Sequence, residues 1–265
     1  MGLSFAVLLA AAASACAPVE GADRLWLPAT HWVIVGELHG TNETPDAFTN
    51  LVCLAASSGR PVTVALEYSA DWQPVINAYL NSDGGADARA ALLTLPVWQA
   101  EMQDGRGSIA FLQMLDRLRR MKMAGRIVGV IGSDVGGSTP SGQTRDAAMA
   151  QAWTAIPTAE NGIILALVGN VHAMRKAMVR PERTIVTAGS LMPSARTITV
   201  NVVGNGGKAW NCQADGCQEH DNGVPRQASA GIVIATDADY PWSATYELGR
   251  LTTAASPAIP VVVVP

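Results

Sequence analysis

Glu37 and His39 place a carboxylate and an imidazole two residues apart at the end of an apolar segment. At strand spacing their side chains point to the same side. A carboxylate beside an imidazole sets the tautomer and raises the basicity of the ring, or both groups bind a metal. The alternative is a capping network at a strand end. Gly36 and Gly40 allow a sharp turn and a close approach to a ligand, which favours the functional interpretation.

Two further residues complete the candidate set. Glu67 directly follows VTVAL (62–66), where a carboxylate cannot remain buried unless it is paired or bound. His172 ends another apolar segment. Alone it would be interpreted as a structural histidine, but with the first pair it becomes the second imidazole of one site. Glu43 and Asp134 are weaker candidates, because each is explained equally well as a helix-terminal or loop acid.

The segments that carry these residues have the pattern of buried strands. They are WVIVGELH (32–39), VTVALEYS (62–69), RIVGVIGSD (126–134) and IILALVGNVH (163–172). Short β-branched runs separated by helical patterns are typical of parallel sheets. Parallel strands end at one edge of the sheet, where ligands bind. The sequence therefore predicts that these acids and histidines meet in one cleft.

The rest of the chain predicts an α/β fold with a central, mostly parallel sheet flanked by helices. Residues 71–107 are less regular and predict a small helical excursion over the cleft. Three β-like runs, 184–190, 197–204 and 231–236, predict a C-terminal β-rich elaboration. We expect a single domain over residues 22–265, with a core at 30–195 and the elaboration at 196–265.

Ser108 is expected to cap a helix that ends near Gly125. Its apolar stripe predicts a face packed in the core. The charged residues of its second half form a run that is typical of a solvated face, namely Arg117, Arg119, Arg120 and Lys122.

Composition excludes several functions. The chain has 265 residues, 49% hydrophobic and 15% charged, which is enough to bury a large core. A net charge of −4 without a basic cluster, and only three Phe and four Tyr, argue against a nucleic-acid partner. No G-x-S-x-G or Walker A motif occurs, so neither an α/β-hydrolase serine nor a P-loop is indicated.

The first residues predict export. LSFAVLLAAAASA (3–15) is apolar, too short to span a bilayer, and ends in small residues, so residues 1–15 are interpreted as a signal peptide. Cleavage after Ala15 would leave Cys16 first, as in a bacterial lipoprotein. We therefore expect either a soluble periplasmic protein or one anchored to the outer membrane, whose only membrane contact is a lipid on Cys16.

The other cysteines agree with an oxidising compartment. Cys212 and Cys217 lie in the turn-rich segment WNCQADGCQEH (210–220), and we predict a disulfide between them. A zinc site that adds His220 is the alternative, but no second Cys/His pair follows. Cys53 lies on the apolar face of a helical pattern and is expected to be an inert core thiol.

Four short motifs together resemble a known superfamily. They are GELHG (36–40), LEYS (66–69), RDAAMA (145–150) and GNVHA (169–173). In this order they are similar to the superfamily that joins erythromycin esterases, ChaN-type haem-binding lipoproteins and Tiki/TraB-type metalloproteases. The resemblance covers about residues 30–195. The chain length, the export signal and the candidate lipid cysteine are most similar to the ChaN branch.

The resemblance implies a polar cluster of Glu37, His39, Glu67 and His172, with Arg145 lining the same cleft. Members differ in chemistry, so fold alone does not decide the activity. The leading expectation is an exported domain that binds haem or a divalent metal. The four cluster residues would be the metal ligands. Haem would use His39, His172 or Tyr68, with Trp72 and Trp98 beside it, although core packing explains these aromatic residues equally well.

The alternative is a hydrolase that uses the same cluster. His39 would deprotonate water, and Glu37 or Glu67 would orient it. His172 and Arg145 would stabilise the developing negative charge. Either function has a small molecule as its ligand or substrate. A degenerate, purely structural member is disfavoured by the presence of all four motifs.

Overall fold

The structure, a computed structural model, describes residues 16–135 and 144–260. Its strands are β1 (Trp32–Glu37), β2 (Val62–Ser69), β3 (Gly129–Asp134), β4 (Ile163–Gly169), β5 (Met178–Val179), β6 (Thr184–Ile185), β7 (Thr197–Val203), β8 (Lys208–Gln213), β9 (Gly216–Asp221), β10 (Gly231–Ile234) and β11 (Ala244–Glu247). Its helices are α1 (Glu43–Ser57), α2 (Gln73–Leu80), α3 (Ala86–Leu92), α4 (Pro96–Gln99), α5 (Ile109–Met123) and α6 (Arg145–Ala155), with short 3₁₀ turns between them.

A seven-stranded sheet forms the centre of the described chain, in the order β10-β11-β7-β1-β4-β2-β3. All neighbouring strands pair in parallel except β10, which is antiparallel to β11. The small pairs β5-β6 and β8-β9 are antiparallel hairpins outside this sheet. The predicted fold class is confirmed.

Helices cover both faces of the sheet, which explains why its strands are apolar throughout. Every residue of β1 and of β2 is buried. Odd-numbered positions of β1, such as Val33 and Val35, face the core beneath α1 and α5. Even-numbered positions, such as Ile34, face the core beneath α6, where Trp153 is fully buried. The two cores hold the sheet rigid between them.

The strand order places β4 between β1 and β2. In this register Glu37 of β1 lies opposite Gly169 of β4. β2 continues past its last paired residue on β4, Leu66, to Glu67. The order in which strands are added to the sheet therefore reverses at β4. In open α/β sheets, ligands bind at the point where the strand order reverses.

Side-chain hydrogen bonds cap the N-termini of α5 and α6. The Ser108 hydroxyl accepts a hydrogen bond from the Phe111 amide, and the Thr144 hydroxyl accepts one from the Ala147 amide. Both are N-caps, as the sequence indicates for Ser108. The helical excursion consists of α2, α3 and α4, and α2 packs against α3, α5 and β3.

The C-terminal part completes the sheet rather than standing apart from it. β7 pairs with β1, and β11 and β10 extend the same sheet beyond β7. β8 and β9 form a hairpin in which Cys212 and Cys217 face each other and are joined by a disulfide. His220 of this hairpin binds Asp215, 2.9 Å away, so it does not complete a zinc site.

The expectation that Cys53 is a free core thiol is wrong. A disulfide joins Cys16 to Cys53 of α1, and the two cysteines are 37 residues apart in the sequence. The N-terminal segment passes α1 closely enough for this bond, a long-range contact that helix periodicity does not report. A sulfur in a disulfide cannot also carry a thioether-linked lipid, so this disulfide and a lipid on Cys16 exclude each other.

Two sequence features lie outside the described residues. They are the predicted signal peptide, residues 1–15, and most of the Gly/Ser loop that follows β3, residues 136–143. In the described ranges, no helix combines the length and the hydropathy needed to cross a membrane.

Candidate functional site

Glu37 and His39 form a hydrogen-bonded pair at the carboxyl end of β1. His39 Nδ1 lies 2.9 Å from Glu37 Oε1. Glu37 is only 1% exposed, whereas the His39 side chain is 20% exposed. The second oxygen of this carboxylate, Oε2, is buried without a hydrogen-bond partner in the described structure. The buried carboxylate therefore orients an imidazole that is itself only partly buried.

Glu67 lies on the far side of β4 from Glu37 and has its oxygens occupied by donors. Its Oε2 accepts a 2.6 Å hydrogen bond from the Gly169 amide, and its Oε1 accepts bonds from Arg106 at 3.1 Å and Arg145 at 2.5 Å. His39 Nε2 lies 3.6 Å from Glu67 Oε2. Glu67 is thus a fixed, 5% exposed carboxylate opposite Nε2 of His39.

Arg145, the first residue of α6, connects the two halves of the cluster. Besides Glu67, its guanidinium binds both oxygens of Asp134 at the end of β3, the closest at 2.6 Å. It also contacts His172 Nε2 at 3.0 Å. Of the weaker candidates, Asp134 therefore belongs to the site. Glu43 does not, because it binds the Thr253 amide and hydroxyl away from the cluster.

His172 has both ring nitrogens engaged. Its Nδ1 lies 2.8 Å from Asp146 Oδ1, and its Nε2 faces Arg145. Because a guanidinium only donates, Nε2 must accept and the proton must be on Nδ1, donated to Asp146. Asp146 is itself fixed by the Ala188 amide at 2.8 Å. His172 therefore orients Arg145 and has no free lone pair.

Arg106 is a member of the cluster that the sequence interpretation missed. It donates to Glu67 Oε1 and to the Glu67 carbonyl, and Asp104 accepts from its Nε and from its Nη2 at 2.6 Å. The signal in the sequence is an arginine between two glycines, in DGRG (104–107). Gly105 has φ +96° and lies against Gly40, so both positions require glycine.

The β8-β9 hairpin supports this corner of the site. The Trp210 amide donates a 2.7 Å hydrogen bond to the Gly40 carbonyl, and a Cβ on Gly40 would collide with the Trp210 carbonyl oxygen. The Cys212 sulfur lies 3.5 Å from the Gln103 carbonyl oxygen. The hairpin thus packs against both the turn after His39 and the loop that carries Arg106.

The electrostatics of the pair are unusual. Burial by itself disfavours a charged imidazole, but hydrogen bonds and negative charges from Glu37 and Glu67 outweigh it and raise the pKa of His39 to about 10. Burial also raises the pKa of Glu37, although His39 opposes this. Because the two groups are coupled, the pair titrates as a unit.

Glu67 differs from Glu37 although it is also buried. Burial alone would raise the pKa of Glu67, but His39, Arg106 and Arg145 hold it well below its usual value. Burial alone would lower the pKa of Arg145, but Asp134 and Glu67 outweigh burial and raise it. Glu67 and Arg145 therefore stay charged over the whole neutral range.

Gly169 lies against three side chains of the cluster. A Cβ built on it would lie 3.3 Å from His39 Nε2, 3.5 Å from His172 Cδ2 and 3.6 Å from Glu67 Oε2. A side chain at this position would crowd His39 Nε2, so the glycine allows these groups to approach the end of β4 closely.

The donor set does not fit a metal ion at Glu37, His39, Glu67 and His172. Arg106 and Arg145 occupy Glu67, and Arg145 faces the lone pair of His172. Metal ligands must instead be deprotonated and free. Across residues 16–135 and 144–260, no three His, Cys, Asp or Glu side chains are placed to hold a metal.

The haem ligands named from the sequence also fit poorly. Tyr68 is adjacent to Glu67, so its side chain points to the opposite face of β2. It is 1% exposed, donates to the Arg106 carbonyl at 2.8 Å, and packs among Trp72, Trp98 and Phe111. Both ring nitrogens of His172 are engaged, by Asp146 and Arg145.

Comparison with known proteins identifies the fold. No protein-family model matches the sequence, and no curated protein matches it significantly. A Bacillus cereus protein of known structure aligns with a TM-score of 0.60 at 12% identity, over 87% of this chain and 91% of its own. Erythromycin esterase EreC aligns with a TM-score of 0.55 at 11% identity, over 86% and 88%. This chain has the fold of erythromycin esterase.

A further match is ChaN of Campylobacter jejuni, whose structure shows cofacial haem binding. It aligns with a TM-score of 0.47 at 14% identity, over 76% of this chain and 91% of its own. The fold that the resemblance to erythromycin esterases implied is confirmed. Because identities are this low, the chemistry must be argued from the side chains.

Proposed function

We propose that the protein is a metal-independent hydrolase in which His39 activates a water molecule. The observation that carries this proposal is the geometry of His39, whose Nδ1 is held by Glu37 while its side chain is 20% exposed and its Nε2 lies 3.6 Å from Glu67 Oε2. A buried carboxylate that fixes the tautomer of an imidazole is the arrangement by which enzymes make histidine a strong general base.

The other groups of the cluster are poorer bases. Glu67 accepts three hydrogen bonds and has a lowered pKa, and His172 is committed to Asp146 and Arg145. His39 is therefore the group that takes the proton. In the substrate-free protein it is already protonated at pH 7, so the fraction able to act as a base increases with pH toward about 10.

Arg106 and Arg145 supply the electrostatic part of the mechanism. Their guanidinium groups flank Glu67 at the mouth, with side chains 24% and 36% exposed. Attack of water on an ester carbonyl places negative charge on the carbonyl oxygen, which these fixed cations stabilise. His172 contributes by orienting Arg145, which differs from the direct charge-stabilising role that the sequence suggested.

The substrate class proposed is a small carboxylic ester. The fold shared with erythromycin esterase EreC supports this class. Among the described residues the site contributes a base and two cations, and the proposed nucleophile is a water molecule activated by His39.

The test is hydrolysis of p-nitrophenyl acetate and of erythromycin by the purified protein. His39→Ala should lower kcat/KM by at least about 100-fold, the usual contribution of a positioned general base. His220→Ala is the matched control, because His220 binds Asp215 in the β8-β9 hairpin outside the cluster. Activity should be unchanged in the control and after treatment with a chelator.

Three results would contradict the proposal. They are full activity in His39→Ala, loss of activity on chelation, or no hydrolysis of any ester by folded protein. A haem titration gives an independent comparison, and we expect no Soret shift. A shift that disappears in His39→Ala would instead favour the haem-binding function.

We also propose that the protein works outside the cytoplasm. All four cysteines of the sequence form the two disulfides. Disulfides persist in oxidising compartments, and this agrees with the export signal expected at residues 1–15. Its partner is a small-molecule substrate.

A further inference from the structure

A second cavity, of about 930 Å³, lies away from the Glu37–His39 cluster. Its walls come from the N-terminal segment around Cys16, from α1, from the C-terminal half of α5, and from the region of β10 and β11. None of the residues that form the cluster lines it. Its volume is at the upper end of the range found for small-molecule sites.

One part of the wall is apolar. It consists of side chains from four different elements, namely Val19, Ala47, Met121, Tyr246 and Leu248. Ala47, Met121, Tyr246 and Leu248 also belong to the hydrophobic core that α1 and α5 share. This surface is therefore fixed by packing and is suited to an aliphatic chain.

The other part of the wall is cationic. Four arginines line the cavity, Arg117, Arg120, Arg126 and Arg250, against two acids, Glu20 and Asp46. The excess of two positive charges contrasts with the net charge of −4 for the whole chain. The charged run of α5 is thus more than the solvated face expected from its sequence, since two of its members face a cavity.

Arg126 differs from the other three arginines in its partners. Arg117 and Arg250 pair with Asp46, and Arg120 pairs with Asp116. Arg126 instead donates to neutral acceptors, namely the Cys16 and Cys53 sulfurs, the Cys53 carbonyl and the Ser57 hydroxyl. In the described chain no carboxylate lies within ion-pair distance of it. A half-buried guanidinium without a carboxylate can bind an added anion strongly.

We propose that this cavity is a binding site for an amphipathic anion, a molecule with one carboxylate or phosphate headgroup and one aliphatic chain. Arg126 binds the headgroup, with the nearby arginines adding to the positive potential. The chain lies along the apolar wall formed by α1, α5 and β11. The site is independent of the proposed hydrolase activity, because it shares no residue with the catalytic cluster.

The test is calorimetric titration of the purified protein with dodecanoate and with dodecyl phosphate, below their critical micelle concentrations. Dodecanol is the uncharged comparison. We expect one molecule of at least one anion to bind per protein, and dodecanol to bind at least about tenfold more weakly. A preference between the two anions identifies the headgroup.

Arg126→Gln should weaken binding by about tenfold to a hundredfold, as expected for the loss of a charge-assisted hydrogen bond. Lys122→Gln is the matched control, because Lys122 lies on the same helix, does not line the cavity, and contacts Asn81. Ala124→Trp is a second variant at an exposed position of the rim, and its added ring should obstruct the chain and weaken binding without disturbing the core.

Several outcomes would overturn the proposal. One is the absence of binding for both anions, and another is equal affinity for dodecanol. Unchanged affinity in both Arg126→Gln and Ala124→Trp would also overturn it. Loss of binding in His39→Gln would place the anion at the catalytic cluster instead. Retained binding in an inactive His39→Gln variant, or in a protein without esterase activity, would support the cavity independently of the hydrolase.

Discussion

Glu37→Gln is the most informative single change, because it removes one negative charge and almost no volume. The amide oxygen of Gln can still accept the hydrogen bond that His39 Nδ1 now donates to Glu37 Oε1. The geometry of the pair should therefore survive while its electrostatics change. We expect the pKa of His39 to fall from about 10 toward the ordinary value of 6.5.

The magnitude follows from the structure. Burial lowers the pKa of His39, and the two glutamates more than reverse this effect. The net result favours the protonated ring by about 5 kcal/mol relative to the free side chain. Glu37 provides the 2.9 Å hydrogen bond, whereas Glu67 lies 3.6 Å away and is shared with Arg106 and Arg145. Removing the Glu37 charge should therefore shift the midpoint of titration by at least one pH unit.

The assay is an NMR titration of the imidazoles, of which the sequence has only four, namely His31, His39, His172 and His220. One resonance should titrate near pH 10 in the native protein and disappear in His39→Ala. The same resonance should move to lower pH in Glu37→Gln. His31 is an internal comparison, because burial and then the charges of Arg196 and Arg60 lower its pKa.

The same shift predicts how stability depends on pH. A pKa raised on folding adds stability that is fully present below about pH 6.5 and is lost as the pH rises toward 10. Urea unfolding should therefore show decreasing stability over this window, with a smaller decrease in Glu37→Gln. If all four imidazoles titrate below pH 8, or if Glu37→Gln leaves every midpoint unchanged, the reasoning about this pair is refuted.

Two other changes test separate parts of the molecule. Gly169→Ala should reduce esterase kcat/KM by about tenfold or more, with less than about 1 kcal/mol change in stability, because its methyl group would lie 3.3 Å from His39 Nε2. Wild-type kcat/KM in this variant would show that the space above residue 169 is not used. Replacing Cys16 and Cys53 together by Ser should cost about 3–4 kcal/mol of unfolding free energy, and replacing Cys212 and Cys217 less, because the first pair closes 37 residues and the second only 5. Chemical denaturation measures both, and an equal loss would contradict the dependence on loop length.

Local sequence patterns predicted much of the sheet. VTVALEYS coincides with β2, and each of the other three apolar segments contains a strand. β1 ends at Glu37, β3 ends at Asp134, and β4 ends three residues before His172. This works because a strand buried on both faces must be apolar at every position, a property that sequence shows directly. β11 was missed, since ATYE (244–247) is only four residues long.

Contacts between distant segments were harder to predict. Arg106, Asp104 and Asp146 enter the site only because loops and helices meet there, and a short polar stretch carries no periodicity that reveals its partner. The Cys16–Cys53 disulfide was likewise missed, because it depends on the path of the N-terminal segment across α1. Tyr68 was named as a ligand candidate although the alternation of side chains along β2 turns it away from Glu67.

By itself, the sequence determined that four buried parallel strands end in acids and histidines, since the apolar runs and the residues that follow them are local properties. Only the tertiary structure decided that β4 lies between β1 and β2, which places Gly169 between Glu37 and Glu67. It also decided that two arginines occupy Glu67 and that His172 faces one of them. Strand order and ion pairing depend on packing between segments far apart in the chain, and this packing determines which donors and acceptors each acid and histidine contacts.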